Sequence, residues 1–242
     1  MEKGAQLYEG KAKVLFETDD PNMLIQYYKD DATAFNGVKK GTLTDKGVVN
    51  NMISSRIYHI LEKVGIETHL VETLGPREQL VHKVEILPVE VVVRNRVAGS
   101  LARRLGIEEG TELPRPLVEF YYKNDELDDP MITMDHAEVF GWAKHREIEF
   151  LVESAHRIND ILIGFFANID ITLVDYKLEF GRLAANPSEL VLADEISPDS
   201  CRLWDMETGE KLDKDRFRRE MGGVMEAYHE VARRMGIDLS AG

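Results

Sequence analysis

A short segment near the carboxyl end of the sequence carries three charged residues at alternate positions. Residues Thr172–Phe180 alternate between apolar and polar side chains, a period of two that predicts a β-strand. Asp175, Lys177 and Glu179 share one face of this strand, with successive members ~7 Å apart. One face can therefore enter a core while the other presents two carboxylates and an ammonium group.

A second acidic strand follows this segment after a turn. Asn186–Pro187 is a turn signal, and the next apolar run, Leu190–Ile196, contains Asp194. If the hairpin is centred on that turn, Glu179 pairs directly with Asp194. Facing carboxylates raise each other's pKa unless a cation lies between them, and a few oxygen ligands suit Mg²⁺. Periodicity alone leaves a solvated strand face with ordinary salt bridges equally open, because the turn need not be symmetric.

Two arginines precede a glycine–serine pair where a strand-like run leads into a predicted helix. Arg94 and Arg96 fall on one strand face, and Gly99 and Ser100 stand at the helix start. Free N–H groups at a helix start attract anions, and an arginine adds bidentate recognition of phosphate or carboxylate. An ordinary N-cap beside surface arginines explains the same residues equally well.

The N-terminal segment Tyr8–Lys13 predicts a bend at Gly10 between two strands, with Lys11 and Lys13 beside it. Such a hairpin can lie over a triphosphate, as glycine-rich loops do in kinases. One glycine does not make a phosphate loop, so an ordinary hairpin is the preferred interpretation of this segment taken alone.

The segment after the second acidic strand adds Asp199 and Arg202. Ser197-Pro198-Asp199 predicts a turn, so these groups are expected in a loop at the mouth of the hairpin. Cys201 is the one cysteine of the sequence, which excludes a disulfide within the chain and a zinc site built on paired cysteines. It has no neighbouring residues that indicate a catalytic nucleophile.

The composition narrows the classes of function. The chain has 242 residues and a formal net charge of −14, which disfavours non-specific binding to nucleic acid. No apolar run reaches the ~18 residues that a membrane span needs, and the N-terminus has no apolar signal-peptide core. We therefore expect a cytoplasmic protein that binds neither nucleic acid nor membrane.

The elements that position these residues fall into two parts. Residues 1–87 consist mostly of short predicted strands with one helix near residues 45–65, whereas residues 88–242 mix strands with long helices. Apolar spacing predicts helices over Arg146–Asn168 and Lys214–Met235. The expected architecture is an N-terminal strand-rich lobe and a C-terminal mixed lobe, divided near Leu87–Pro88.

Two long segments, LPVEVVVRNRVAGS and LVDYKLEFG, resemble signature segments of the SAICAR synthetase family. YEGKAK, AFNGVKKGTLTDKG, RRLGIEEGTELPRP, KNDELDDP, ADEISPDSCRLWD and DKDRFR also occur in the family's order, so the resemblance covers essentially the whole chain. It implies a two-lobed α+β fold related to ATP-grasp, with an N-terminal lobe similar to that of protein kinases. It also implies a homodimer.

The resemblance implies a reaction as well. The family joins L-aspartate to carboxyaminoimidazole ribonucleotide (CAIR) with ATP and Mg²⁺ in purine biosynthesis, giving the succinocarboxamide SAICAR, ADP and phosphate. A carboxylate resists attack by an amine, so transfer of the γ-phosphoryl group to make an acyl phosphate explains the need for ATP. Such a site works mainly by positioning and by neutralising phosphoryl charge.

The resemblance assigns roles to individual residues. Glu179 and Asp194 would hold Mg²⁺. The remaining assignments are Lys11, Ala12 and Lys13 for the ATP phosphates, the backbone near Lys83 to Glu85 for adenine, Arg94, Ser100, Arg202 and Arg218 for the ribonucleotide, and Asp175, Lys177 and Asp199 around the imidazole substituents and the reacting carboxylate. The loop Asp31–Lys46 is a candidate aspartate site.

The residues alone do not exclude two other classes of function. A phosphotransferase of similar build would pass phosphate to a small acceptor and stop. A nucleotide-binding scaffold without catalysis is the third alternative, although the unbroken set of charged residues disfavours it.

Overall fold

The computed structural model describes residues 1–34 and 37–239, which form an α+β fold as predicted. The strands are β1 (Gln6–Glu9), β2 (Lys13–Glu17), β3 (Met23–Tyr28), β4 (Asp31–Ala34), β5 (Lys39–Thr42), β6 (Leu70–Gly75), β7 (Glu78–His82), β8 (Val84–Arg96), β9 (Glu112–Tyr122), β10 (Met131–Ile132), β11 (Ile171–Leu183), β12 (Leu190–Ala193) and β13 (Cys201–Asp205). The helices are α1 (Lys46–Glu62), α2 (Gly99–Leu105), α3 (Met134–Val139), α4 (His145–Ala167), α5 (Asp215–Arg218) and α6 (Val224–Arg234), with a 3₁₀ turn at Asp125–Leu127.

Two antiparallel sheets organise the fold. The first has the order β1-β2-β3-β7-β6, and the second has the order β10-β9-β8-β11-β12, with β13 also paired to β11. β4 and β5 form a separate two-stranded sheet. β11 lies inside the second sheet, so the strand that carries Asp175, Lys177 and Glu179 is held by β8 along one edge and by β12 and β13 along the other.

Helix α4 packs against β8 and β11 and closes one side of the core. Its apolar residues recur every three or four positions, which places them on one stripe of the helix. Leu151, Ala155, Ile158 and Leu162 on this stripe are fully buried, and the predicted helix differs from the observed one by one residue at each end. None of the helices in the described ranges is long and apolar enough to cross a membrane.

The chain passes from the first sheet to the second at Lys83. The sequence predicts one strand over Gln79–Ile86, but the structure has β7 ending at His82 and β8 beginning at Val84. β8 then runs without a break through the predicted boundary at Leu87–Pro88. The change of sheet therefore precedes that boundary, and the division into an ATP-covering lobe of residues 1–87 and a second lobe of residues 88–242 stays a prediction.

The predicted C-terminal helix, Lys214–Met235, is wrong as a single element. The structure has the short α5 and the longer α6, separated by a segment that contains Gly222 and Gly223. Both glycines have positive φ angles, 71° and 59°, which a continuous right-handed helix does not allow. The adjacent glycines were the signal for this break.

The prolines at 114, 116 and 130 predict a loop-rich middle of the chain, but the structure has β9 there. Pro114 and Pro116 lie in the part of β9 where the pairing with β8 shifts register, and β10 pairs only further along, at Phe120 and Tyr121. A proline lacks an N–H donor, so it is tolerated in a strand where the ladder is incomplete.

Candidate active site

A cavity of about 660 Å³ is lined by residues of both main sheets. Leu24 and Val81 of the first sheet form an apolar wall that Val84 and Ile86 of β8 continue. Charged side chains line the rest of it, including the predicted site residues Lys11, Lys13, Lys177, Glu179, Asp194 and Asp199, and Ala12 also lines the cavity. Apolar walls with a few convergent polar groups are typical of small-molecule sites.

The acidic hairpin has a different register from the predicted one. Glu179 lies opposite Ala193 and Arg182 lies opposite Leu190, so the hairpin is centred on Asn186 rather than on the Asn186–Pro187 bond. The predicted pairing of Glu179 with Asp194 is therefore wrong by one residue. The sequence contained a turn signal, but it did not fix the length of the loop around it.

The backbone at Asp194 nevertheless brings the two carboxylates to the same place. β12 ends at Ala193, and Asp194 has a left-handed conformation with φ 63°, which aspartate tolerates better than most residues. Its Oδ2 lies 3.3 Å from the Lys177 ammonium, and Oε1 of Glu179 contacts the same ammonium. The Lys177 ammonium group thus lies between Glu179 and Asp194, the two carboxylates for which a shared cation was predicted.

These residues belong to a larger group, which we call the acid–lysine cluster. Besides its contact with Asp194, Lys13 lies 2.9 Å from Glu195, and Lys123 lies 2.6 Å from Glu179. Lys177 also lies 3.2 Å from Glu90. The cluster therefore consists of the carboxylates Glu90, Glu179, Asp194 and Glu195 and the ammonium groups Lys13, Lys123 and Lys177.

The electrostatics of the acid–lysine cluster follow from burial and charge. Burial disfavours the charge on Lys177, but Glu179, Asp194 and Glu90 outweigh it and raise the pKa of the ammonium well above its usual value. Burial likewise opposes the charge on Asp194, but Lys13 and Lys177 hold the pKa of that carboxyl far below its usual value. Both groups are therefore charged at neutral pH.

Glu90 has a raised pKa, and burial is its main cause. Burial raises the pKa of Glu90, and although Lys177 opposes this rise, the charge of Glu179 adds to it. A raised carboxyl pKa marks a position where one more positive charge would be stabilising.

The donor set of this cluster fits Mg²⁺. Within residues 1–34 and 37–239, no group of three or more His, Cys, Asp and Glu side chains is arranged to hold a metal ion. Mg²⁺ in nucleotide sites commonly uses one or two protein carboxylates and takes its other oxygens from phosphate and water. Glu179 and Asp194, which converge on one ammonium group, supply such a pair.

Asp199 lies in a second buried group on the cavity wall. Its Oδ1 accepts a hydrogen bond from the Tyr228 hydroxyl at 2.6 Å, and its Oδ2 lies 2.9 Å from the Lys46 ammonium and 3.5 Å from that of Lys214. Burial opposes the negative charge, but the two lysines hold the pKa of Asp199 far below its usual value. Asp199 is therefore a fixed anion in this structure, and two lysines are oriented by it.

The predicted ribonucleotide-binding residues form a third group, the arginine cluster. Arg94 is 3% exposed and donates to Glu119 at 2.6 Å, to Asp175 at 2.7 Å and to Ser100 at 3.0 Å. Arg202 donates to Asp175 at 2.9 Å. The cluster is extended by Asp215, which accepts from Arg202 at 3.0 Å and from Arg218 at 2.6 Å.

Asp175 belongs to the arginine cluster rather than to the cavity wall. The family resemblance placed it with Lys177 and Asp199 around the imidazole substituents and the reacting carboxylate, and its side chain is buried between Arg94 and Arg202. The pairing of β11 with β8 is continuous from Asp175 to Glu179, so Asp175 alternates in step with Lys177 and Glu179 as predicted and differs from them in lying between the two arginines. Asp175 therefore orients two arginines, and its role around the imidazole substituents and the reacting carboxylate stays a prediction.

Gly99 is required by the position of Arg202. Its φ is +53°, and a Cβ at this position would lie 2.4 Å from Nη2 of Arg202. The glycine of the VAGS segment therefore allows the guanidinium to approach the start of α2, where Ser100 contacts Arg94. Sequence analysis linked the glycine only to the helix start.

The remaining predicted ATP-binding residues are divided between two places. Lys11 lines the cavity and contacts Asp125 at 2.6 Å. The side chains of Lys83 and Glu85 lie outside the cavity lining, and the Lys83 N–H and C=O bond to Asn22 and Ala184. Their neighbours His82, Val84 and Ile86 form that part of the wall instead.

Sequence analysis assigned no individual role to several residues of the site, namely Lys46, Glu90, Lys123, Glu195 and Lys214. Lys46 starts α1 and is 1% exposed, so only its burial against Asp199 distinguishes it from an ordinary surface lysine. Glu195 directly follows Asp194, and that adjacency was the one usable hint.

Comparison with known proteins decides the family. The family model described as SAICAR synthetase matches residues 6–235. The chain belongs to the SAICAR synthetase family. It is 83% identical over 239 residues to the phosphoribosylaminoimidazole-succinocarboxamide synthase of Magnetococcus marinus, with 99% of each chain covered.

Solved structures of the family have the same fold. A phosphoribosylaminoimidazole-succinocarboxamide synthase from Ehrlichia chaffeensis superposes with a TM-score of 0.95 at 48% identity, covering 97% of this chain and 99% of that chain. A SAICAR synthetase in complex with ADP superposes with a TM-score of 0.90 at 50% identity, covering 94% and 96%. Family membership makes the chain an ATP-dependent ligase of purine biosynthesis and confirms the function predicted from the sequence.

Proposed function

We propose that the cavity between the sheets binds ATP and Mg²⁺ and that the chain joins L-aspartate to CAIR through an acyl phosphate. The observation that carries this proposal is the convergence of Glu179 and Asp194 on one ammonium group beside an apolar wall. The relative solved with ADP supports a nucleotide in this cavity. The acyl phosphate follows from the chemistry, since a carboxylate must be activated before an amine can displace one of its oxygens.

Each charged group has a separate proposed role in phosphoryl transfer. Glu179 and Asp194 would hold Mg²⁺, which supplies charge neutralisation at the ATP phosphates. Lys13 and Lys11 would contact the phosphates from the β1–β2 hairpin, with Ala12 of the same hairpin against the nucleotide. Lys177 would be released from Glu179 and Asp194 to face the transferred phosphoryl group.

The ribonucleotide would bind beside the phosphate donor. We assign its phosphate to Arg94, Ser100, Arg202 and Arg218, with Asp175 and Asp215 fixing the arginines. Asp199 lies three residues before Arg202 on the loop that joins this cluster to the cavity wall. With its two bound lysines it would orient the CAIR carboxylate that receives the phosphoryl group.

An aspartate-omission assay tests the proposed reaction against simple phosphotransfer. With ATP, Mg²⁺, CAIR and L-aspartate, we expect SAICAR, ADP and phosphate in equal amounts, and no SAICAR without aspartate. Sustained phosphate release without aspartate, together with no SAICAR when aspartate is present, would indicate a phosphotransferase. ATP binding with no turnover under either condition would indicate a scaffold.

Several finer assignments belong to this proposal as well. We propose that the chain is a cytoplasmic homodimer, that its fold is related to ATP-grasp and that its first sheet is similar to the N-terminal lobe of protein kinases. The segment Asp31–Lys46, predicted as a loop but containing β4 and β5, is proposed as the aspartate site, and residues 35 and 36 of it lie outside the described residues. Lys46 at its end faces Asp199, which supports this placement.

A further inference from the structure

One face of helix α1 lies against the chain that leaves β12. The hydroxyl of Tyr58 donates a hydrogen bond to the Ala193 carbonyl at 2.6 Å. The hydroxyl oxygen of Ser54 accepts one from the Ile196 N–H at 3.2 Å. Tyr58 and Ser54 are four residues apart in α1, so they share one face of the helix. Helix α1 therefore holds the backbone on both sides of Asp194.

Both of these hydrogen bonds are shielded from water. Tyr58 and Ser54 are buried, and so are Ala193 and Ile196, the residues that they hold. The Tyr58 ring also packs edge-on against His69 with 5.7 Å between centroids, which fixes the direction of its hydroxyl. Water cannot replace a buried hydrogen bond, so its loss leaves a polar group unpaired. The two contacts therefore restrain the backbone that they reach.

The backbone at Asp194 requires such a restraint. Ala193 lies opposite Glu179 in the ladder, so their side chains share a face of the sheet. In a continued β12, the next side chain would point to the other face, because side chains alternate along a strand. The φ of 63° at Asp194 turns its Cβ back towards Glu179. A left-handed conformation of a residue other than glycine persists only where its surroundings enforce it.

The contacts of the Asp194 side chain cannot provide this restraint in every state of the enzyme. The carboxylate contacts Lys13 and Lys177 in this structure, and the proposed function has Lys177 released when the metal binds. The hydrogen bonds from Tyr58 and Ser54 are made to backbone atoms, so they do not depend on what the carboxylate binds. Helix α1 is therefore suited to hold Asp194 while the partners of its carboxylate change.

We propose that Tyr58 and Ser54 are positioning residues for the ligase reaction, which hold the Asp194 carboxylate where it binds Mg²⁺ together with Glu179. This inference rests on the proposed metal role of Glu179 and Asp194. It goes beyond that role by assigning the orientation of one metal ligand to two hydroxyl groups that lie outside the cavity lining.

The first test measures metal binding without catalysis. Mn²⁺ is titrated into protein that carries one equivalent of ADP, and unbound Mn²⁺ is measured by its electron paramagnetic resonance signal. Tyr58→Phe keeps the ring and removes the hydroxyl, whereas Ser54→Ala removes the acceptor. We expect each variant to bind Mn²⁺ about tenfold more weakly, a loss typical of removing a partner that orients a metal ligand. Unchanged Mn²⁺ affinity in either folded variant would overturn the inference, so one folded variant is sufficient for the test.

Steady-state kinetics distinguish the orientation of a metal ligand from a general loss of stability. In both variants, the Mg²⁺ concentration that gives half-maximal SAICAR formation should rise about tenfold. The KM for CAIR should not change, because the arginine cluster keeps its contacts. A raised KM for CAIR with an unchanged Mg²⁺ requirement would contradict the inference.

Tyr176→Phe is the matched control. Tyr176 is also fully buried, and its hydroxyl lies 3.5 Å from the backbone carbonyl of Ala155, on helix α4. Loss of this hydroxyl should lower the thermal unfolding midpoint and leave the Mg²⁺ requirement unchanged. If Tyr176→Phe raised the Mg²⁺ requirement as much as Tyr58→Phe, a loosened core would explain both variants and the positioning role would be refuted.

Asp194→Asn separates this inference from the proposed metal role. It removes the ligand itself, so it should weaken Mn²⁺ binding more than Tyr58→Phe or Ser54→Ala does. If Asp194→Asn binds Mn²⁺ as the unmodified protein does, the proposed metal role is wrong. If Asp194→Asn loses Mn²⁺ while Tyr58→Phe retains it at full affinity, the metal role stands and the positioning role of α1 fails.

Discussion

The Lys177 ammonium occupies the position between Glu179 and Asp194 that we assign to Mg²⁺ with its phosphate ligands. The acid–lysine cluster has four carboxylates and three ammonium groups, so it carries one excess negative charge. An amide at Glu179 would balance these charges while removing a metal ligand. The two effects of that substitution, on catalysis and on stability, can therefore be separated.

The first residue-scale prediction is that Glu179→Gln lowers kcat by about a hundredfold or more, since a bound metal contributes several kcal/mol to phosphoryl transfer. The thermal unfolding midpoint should change little. SAICAR formation measured against Mg²⁺ concentration checks this. Glu112→Gln, at an exposed glutamate that contacts Arg96 at 3.4 Å, is the control. Near-normal activity of Glu179→Gln at low Mg²⁺ would refute the metal role.

The second residue-scale prediction concerns Arg94. Its guanidinium group donates hydrogen bonds to Glu119, Asp175 and Ser100. Lysine keeps the charge but loses the planar fork, so Arg94→Lys should raise the KM for CAIR about tenfold or more. Arg96→Lys, two residues along the same strand and in contact with exposed Glu112, should leave that KM unchanged. Steady-state kinetics with varied CAIR distinguish the two variants, and an unchanged KM in Arg94→Lys would count against its role.

Single residues were predictable from the sequence where their spacing carried information. Lys177 and Glu179 alternate with apolar residues, and Asp194 follows a turn signal, so all three were found. Lys46 was named only as the end of the candidate aspartate segment, and Lys123 received no role. Neither belongs to a spacing pattern, and both contact residues far along the chain. Their detection requires the fold.

At the scale of elements, helix α2 contacts the arginine cluster through Ser100 and has a glycine at each end. Gly99, its first residue, and Gly106, directly after its last, both have positive φ, +53° and +65°. They differ in their surroundings, because a Cβ at Gly99 would meet Arg202 at 2.4 Å, whereas no described atom lies within 4 Å of a Cβ at Gly106. The two positions form a matched pair in which only one affects the site.

We predict that Gly106→Ala costs about 1 kcal/mol of unfolding free energy from backbone strain alone. Gly99→Ala should cost more, because the strain is joined by displacement of Arg202, and it should also weaken CAIR binding. Urea unfolding and a CAIR titration measure the two effects. If both variants lose the same stability and bind CAIR normally, Gly99 has no role in positioning Arg202.

Elements were predictable where one pattern continued over many residues. The apolar stripe of α4 fixed that helix to within a residue at each end, whereas the C-terminal helix was extended through Gly222 and Gly223 because apolar spacing was given more weight than the glycines. The acidic hairpin was found, but its register was not, because loop length decides register and the turn signal does not specify it.

At the scale of the whole molecule, the stability of the fold depends on a buried acid. Asp213 is fully buried and accepts hydrogen bonds from the Leu203 N–H at 2.8 Å and the Asp215 N–H at 2.7 Å. Burial raises the pKa of Asp213 to about 7, and the charge of Asp215 adds to the rise. It therefore holds a proton in the folded chain at pH values where the unfolded chain has lost it.

The raised pKa of Asp213 determines whether the free energy of unfolding rises or falls with pH. Because the folded pKa is raised, the contribution of Asp213 to stability is complete below pH ~4 and is lost as the pH rises through about 7. Relative to Asp213→Asn, the unmodified protein should lose up to ~1.4 kcal/mol of unfolding free energy per pH unit within this window. Urea unfolding at pH 5, 6.5 and 8 measures the difference, and parallel curves for the two proteins would contradict it.

The most direct test of the whole account is a crystal structure with an ATP analogue and Mn²⁺ in place of Mg²⁺, located by its anomalous signal. The account predicts the metal ~2.1 Å from carboxylate oxygens of both Glu179 and Asp194, the base against Val84 and Ile86, and Lys177 turned towards the γ-phosphate. A metal bound to the phosphates with Glu179 and Asp194 still paired to Lys177 would contradict it.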